Sequence, residues 1–173
     1  MTDTPSIAEV CKGWWDACIA AETGGARRSR AELRRAAGVT DALGVSATHE
    51  LNRRLVRAGH DLRQRRDGPD RLALIAVALA QVVQDQRETA AQRFGTGDPK
   101  ALSGARFNVL IRAKEPRRLM RPLGRALQVA KGSANVRRLA VDLYWWSDKT
   151  RTVWCFDYHG AADAKPTQEE ANT

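Results

Sequence analysis

Residues Ser103 to Tyr158 read SGARFNVLIRAKEPRRLMRPLGRALQVAKGSANVRRLAVDLYWWSDKTRTVWCFDY, and this stretch decides the fold. Apolar residues recur in it at helical spacing. Phe107, Leu110 and Ile111 mark one face, Leu119, Leu123 and Leu127 a second, and Leu139, Leu143 and Trp146 a third. Arginines fill the gaps: Arg106, Arg112, Arg117, Arg118, Arg121, Arg125, Arg137 and Arg138, with Lys131 in the Gly turn. The pattern predicts an all-α, two-lobed helical bundle with a dry inner seam and a cationic outer face. Polyanions bind such faces.

Start and stop signals divide the rest of the chain. Ser6 caps a first helix carrying Val10, Cys11 and Trp14, which Gly24-Gly25 ends. Ser29 caps a short second helix, Arg30 to Ala37, with Arg30, Arg34 and Arg35 on one side. Thr40 to Ala47 reads as a loop. A third helix runs from Thr48 to Arg66, with Leu51, Leu55 and Leu62 on its seam and Arg53, Arg54 and Arg57 beside it. A fourth runs from Pro69 to about Arg93 and is apolar nearly all round between Leu72 and Val83, the mark of a buried central helix. Gly95-Thr-Gly-Asp-Pro99 breaks the pattern. It predicts an N-terminal lobe over 1–94, a linker over 95–102 and a C-terminal lobe over 103–160, with a disordered polar tail over 161–173. In the second lobe Ser103, Pro116 and Asn135 open helices, and Ser147-Asp148 opens the last. No strand is expected.

The net charge of the 173-residue chain is +9, and it is unevenly placed. Arg27 to Arg66 holds 11 Lys and Arg against 4 Asp and Glu; Ser103 to Tyr158 holds 12 against 4. A 43% hydrophobic content supports a packed core, so the charge belongs to a folded surface and not to a basic tail. The three cysteines argue against a disulfide framework. With no signal-like N-terminal stretch and no apolar run long enough for a membrane span, they lead to the expectation of a cytoplasmic protein.

No catalytic set is visible. His49, His60 and His159 lack partners at metal-ligand spacing, so neither a metal nor a cofactor is expected. His60-Asp61 resembles one fragment of a metal-dependent phosphohydrolase site without the other ligands. Cys155 reads as a buried thiol. Trp14, Trp146 and Trp154 fall on seams and read as core, whereas Trp15 and Trp145 lie beside the seams and are candidates for a partner surface. The arginines carry the functional signal. Arg117, Arg121 and Arg125 stand four apart with like charge, which disfavours an isolated helix by a few tenths of a kcal/mol per pair, about 0.2–0.5. A bound polyanion would offset that repulsion. The candidate nucleic-acid contacts are therefore Arg30, Arg34, Arg35, Arg53, Arg54, Arg57, Arg106, Arg112, Arg117, Arg118, Arg121, Arg125, Lys131, Arg137 and Arg138.

These residues carry a resemblance. Ser103-x-x-Arg106-Phe107-x-x-Leu110-Ile111-Arg112-Ala113, the Leu/Arg helix from Leu119 to Leu127, Leu139 to Trp146 ending Tyr-Trp-Trp, and Trp154-x-x-Asp157-Tyr158 are similar to the CasB family, the small subunit of the type I-E CRISPR Cascade complex. Trp14 and Arg30-Ala31-x-Leu33-Arg34-Arg35 extend the likeness more loosely into the N-terminal half. Between Gly38 and Thr48 the family's Pro and aromatic pair are missing. The resemblance implies a two-lobed helical subunit without enzymatic activity. It would pack with a second copy of itself and with other Cascade proteins beside the CRISPR RNA. Its basic surface would hold target and displaced DNA strands and stabilise the R-loop. A helix-turn-helix DNA-binding regulator, built on Gln128 to Leu139, is the alternative from a different class.

Overall fold

The computed structural model describes residues 3–160, which form ten α-helices organised around one of their number, a buried helix. That helix, α5 (Gly68–Gln81), is buried at every position from Arg71 to Gln81. Pro69 sits in its first turn, where no intrahelical N–H is needed. α2 (Gly24–Arg35), α3 (Val39–Leu43), α4 (Ser46–Arg57), α8 (Pro116–Val129) and α9 (Val136–Tyr144) all pack on α5, and α8 does so most extensively. α1 (Ile7–Trp15) closes the far side by packing on α9 and α4.

The starts expected at Ser6, Ser103 and Asn135 are real caps, each side chain accepting a backbone N–H three residues on. Ser6 forms only half of a capping box, because the Glu9 carboxylate turns away to Arg137. Several bounds differ from the expected ones. Gly24-Gly25 opens α2 instead of ending α1, since the Thr23 hydroxyl accepts the Ala26 N–H. Ser29 therefore lies inside a helix. α1 instead runs into a π turn over Asp16–Ala20. The segment read as a loop holds α3. The third helix stops at Arg57, because Gly59 adopts φ 82°, a left-handed conformation that glycine tolerates. Leu62 still reaches the core, from the short 3-10 turn Leu62–Gln64.

The long fourth helix is in fact two, α5 and α6 (Ala90–Phe94). The backbone of Val83 and Gln84 leaves the helix because both N–H groups donate to the Gly132 carbonyl, at 2.8 and 3.1 Å. The chain then forms a two-residue parallel pair, β1 (Gln84–Asp85) with β2 (Ser133–Ala134). Two residues leave no alternating pattern to read, which is why no strand was expected.

The core does not divide at residues 95–102. One apolar cluster runs from Val10 and Trp14 through α5 to Leu139, Trp154 and Tyr158. The connection is itself anchored: Leu102 is buried, its N–H donates to Phe94 and its carbonyl accepts from the Tyr158 hydroxyl. Gly95 passes so close to the Tyr158 carbonyl that any Cβ would collide with it. α6 packs on α10 (Asp148–Gly160), and α7 (Gly104–Arg112) meets α10 through Phe107 stacked on Tyr158 at 3.9 Å. A Gly/Pro-rich stretch marks a chain reversal, but only contacts such as α1 against α9 reveal whether it separates cores. The tail expected over 161–173 lies outside the described residues.

Buried aromatics find polar partners as well as apolar ones. Trp14 donates to the Ala47 carbonyl, Trp146 to Ala113 and Trp154 to the Asp142 carboxylate. Trp15, expected at a surface, is also buried and donates to the Val82 carbonyl. Trp145 is exposed as expected, with the Arg65 guanidinium 5.0 Å from its ring. Cys155 is only half-buried. Cys11 is the deeply buried thiol, and burial pushes it up to about 12. Among the described residues no helix is long and apolar enough to cross a membrane.

Candidate nucleic-acid interface

Sequence order separates α2 from α8, but packing on α5 brings them together. Both helices flank the C-terminal half of α5, and a cleft of about 210 Å³ opens between them. Arg34, Arg121 and Arg125 line it, over a floor that includes Val77, Gln81 and Met120. α8 suits this role because its Leu119, Leu123 and Leu127 face is fully buried, which leaves Arg121 and Arg125 exposed on the other side. Arg34 continues the cleft into a neighbouring concavity shared with Arg30, Val82, Val83 and one acid, Glu22, which pairs with Arg27. Arg125 continues it the other way, into a notch shared with Arg106 between α7 and α8. Five cations from three helices thus lie along one cleft system.

The two α2 guanidiniums of the cleft have defined anchors. Arg34 Nε donates to the Ala80 carbonyl at 2.7 Å, and Arg30 Nη1 donates to the Ile19 carbonyl at 2.9 Å. These carbonyls belong to the end of α5 and to the π turn, where backbone acceptors lack helical partners. The anchors leave the other guanidinium nitrogens free to point outward. Burial, and then the like charge of Arg30, lower the Arg34 pKa from its ordinary value. The group remains a cation, held where an anion would relieve the unfavourable charge. Arg35 does not share this face. It is exposed on another side of α2 and donates to Ala31 of its own helix. Positions 30 and 34 align on a helix, whereas 35 is turned by a further residue.

The remaining predicted contacts divide into two groups. Arg57, Arg112 and Lys131 are exposed and lie away from the cleft; among the described residues none has an acidic partner. Lys131 sits in a left-handed turn residue, φ 60°, at the end of α8. The others are neutralised. Arg53 and Arg54 share the Glu50 carboxylate, each at 2.9 Å. Arg117 meets Asp70, Arg118 lies 3.5 Å from Glu115, Arg137 meets Glu9 and Arg138 meets Asp142. The guanidiniums hold the Glu50 and Glu9 carboxyls below their ordinary value. The cleft residues Arg121, Arg125 and Arg106 have no acidic partner among the described residues, and no acid lines the Arg34–Arg121–Arg125 segment.

Sequence reasoning passed over one cleft residue and two structural arginines. Gln81 ends the apolar run of α5, and its Oε1 accepts the Gln128 Nε2 at 3.2 Å across the cleft. Its signal was a polar residue closing an otherwise apolar helix. Arg65 and Arg71 gave no signal at all. Arg71 is buried, pairs with Asp67 at 2.8 Å and donates to the Tyr144 and Trp146 carbonyls past the end of α9. The other chemical readings lose their residues to structural roles. His60 Nε2 contacts the Pro5 carbonyl, and Asp61 caps the 3-10 turn while pairing with Arg63. Among the described residues no three His, Cys, Asp or Glu side chains gather to hold a metal ion. In the Gln128 to Leu139 segment β2 intervenes between the helices, and α9 buries a face against α1 and α5 while Arg137 and Arg138 are ion-paired.

Fold and cleft together define an all-helical protein with a cationic furrow whose Arg34–Arg121–Arg125 segment has no acid in its lining. Comparison with known proteins makes the class particular. The family model for CRISPR-associated protein Cse2 matches residues 29–159, and the chain belongs to that family, the CasB family of the sequence resemblance. The structure also matches a chain in the crystal structure of E. coli Cascade bound to a PAM-containing double-stranded DNA target. The match covers 94% of this chain and 99% of that one, with a TM-score of 0.61 at 17% sequence identity. It establishes that the two share a fold. No curated protein sequence matches the chain significantly.

Proposed function

We propose that the chain is the non-catalytic small subunit of a cytoplasmic type I-E Cascade complex, and that it holds DNA strands by phosphate contacts along the α2/α8 cleft. Family membership supports the place in the complex. The observation that carries the mechanism is the convergence of Arg34 with Arg121 and Arg125, from distant parts of the chain, in a cleft without acids. Its partners in this reading are other Cascade proteins, a second copy of itself, the CRISPR RNA and the target and displaced strands. No metal or cofactor has a role. R-loop formation exchanges one duplex for another of similar stability, so modest contacts to a backbone tip the balance. Guanidiniums fixed by Ala80 and Ile19 give such contacts at little ordering cost, because their stems are already held.

Arg30, Arg34, Arg106, Arg121 and Arg125 make the first contacts in this mechanism. Arg35, Arg57, Arg112 and Lys131 add diffuse attraction, and the ion-paired arginines add little. The test is a comparison of assembled complexes carrying Arg34→Ala with Arg125→Ala, or Arg53→Ala with Arg54→Ala. The first pair should shorten R-loop lifetime against competing reannealing while guide-dependent target selection persists. Equal lifetimes in both complexes would remove the cleft from the mechanism. Loss of binding on one DNA sequence only would point to base reading and hence to a regulator.

A further inference from the structure

The notch between α7 and α8 differs in chemistry from the furrow it joins. Its floor is formed by the buried Leu102 and Ala126, and its walls by Val109, Pro122 and Val129. Val109 is 53% exposed and Val129 41%, among the largest exposures of any large apolar side chain in the described residues. The notch encloses about 570 Å³, within the range of sites that take small organic groups, about 300–1,000 Å³. Arg106 and Arg125 stand in its lining, no acid does, and Arg125 also lines the Arg34 cleft.

We propose that this notch takes an unstacked nucleobase from the strand whose phosphates lie in the cleft. The inference rests on the cleft's reading as a strand-holding surface and adds a site for a different part of the same strand. A nucleobase has two weakly polar faces and is covalently tied to a phosphate. The notch offers aliphatic walls for those faces and two cations for the adjoining phosphates. The uniform positive charge favours a polyanion over an apolar side chain of a protein. Continuity with the Arg34 cleft gives the strand a path past the notch. Bases inside a duplex are stacked and cannot enter, so the site selects single-stranded nucleic acid. The aliphatic walls present no hydrogen-bonding groups, and one Gln128 N–H is already committed to Gln81, so apolar contact outweighs hydrogen bonding and the site tolerates any base. Sequence tolerance of this kind is what stacking and apolar contact provide.

The full chain is titrated at several salt concentrations with oligo-dT and with an abasic deoxyribose-phosphate oligomer of the same length. Wild type should bind oligo-dT about tenfold more tightly, a gap that salt leaves unchanged. The double substitution Val109→Asn with Val129→Asn is neutral and confined to exposed positions, and thermal unfolding checks its fold. It should close most of the gap while leaving the salt slope intact. Arg125→Ala should flatten the slope for both oligomers. Equal binding of the two oligomers by wild type would overturn the base site while leaving the phosphate cleft standing. A gap that survives in the Asn double variant would also overturn it, by placing the base elsewhere. Equal binding together with loss of the Asn variant from assembled complex would assign the notch to a protein neighbour. An absence of any salt-dependent binding would remove the cleft reading itself.

Discussion

The α2/α8 cleft and the α4/α1/α9 surface contain the same kind of residue in opposite states. Arg34, Arg121 and Arg125 face one another across a furrow with no carboxylate in its lining. On the other surface Arg53 and Arg54 share Glu50, Arg137 meets Glu9 and Arg138 meets Asp142. The two basic zones of the sequence look alike in charge, yet the fold redistributes them. Arg30 and Arg34 of the first zone join Arg121 and Arg125 of the second. Arg53 and Arg54 of α4 are left beside an acid. Net charge therefore favours a polyanion in the proposed reading, and the local count of unpaired cations is what singles out the cleft for it.

The largest expected effect marks an arginine that belongs to neither surface. Arg71→Ala removes a buried guanidinium, strips a half-exposed Asp67 of its partner and leaves the Tyr144 and Trp146 carbonyls without that donor. At about 1–3 kcal/mol for each carbonyl left without that donor, it should cost about 3–5 kcal/mol in urea unfolding and leave the salt dependence of DNA binding by the remaining folded protein unchanged. A cost below ~1 kcal/mol would blur the line between structural and functional arginines. Leu123→Ala follows, at about 2–5 kcal/mol, because Leu123 is fully buried behind the exposed Arg121 and Arg125. A near-neutral result would mean that α8 does not present its charges as described.

Binding effects should be smaller and should separate the surfaces. On single strands each of Arg34→Ala and Arg125→Ala should flatten the plot of log K against log salt by about 0.7. Arg53→Ala and Arg54→Ala should leave that slope within error, and a matching change in all four would erase the contrast. Glu50→Gln then probes the paired surface by its pH response. The Glu50 carboxyl is lowered by its hydrogen bonds to Arg54 and Arg53, so its contribution to stability is present above the ordinary carboxylate value and lost as pH falls through the lowered one. Wild type and Glu50→Gln should differ by at most ~1 kcal/mol at neutral pH and converge at acid pH. A difference that grew on acidification would have the wrong sign. Limited proteolysis makes the mildest perturbation. Cleavage should fall among the exposed residues Thr96 to Pro99, and the two fragments should stay associated because one core spans both.

Much was legible in the chain because it follows from local physics. Helical periodicity placed Leu119, Leu123 and Leu127 on one seam and the arginines on the other side, since a side chain's position around a helix depends only on spacing. Caps at Ser6, Ser103 and Asn135 were readable because a short polar side chain satisfies backbone donors within its own turn. The central burial of α5 was readable from an apolar surface with no polar side to give to water. The excess of arginine gave the expectation of a polyanionic partner, on which the proposed function rests. The tertiary structure alone decided that Arg34 stands with Arg121 and Arg125, that Glu50 and Glu9 neutralise the other surface, and that one core spans both halves. Each of these depends on residues tens of positions apart meeting through helix packing, and sequence spacing carries no record of such distances. Trp15 and Arg71 show the same limit. Burial of Trp15 depends on Val82, and the value of Arg71 depends on carbonyls beyond the end of α9, so neither role exists until the helices have packed.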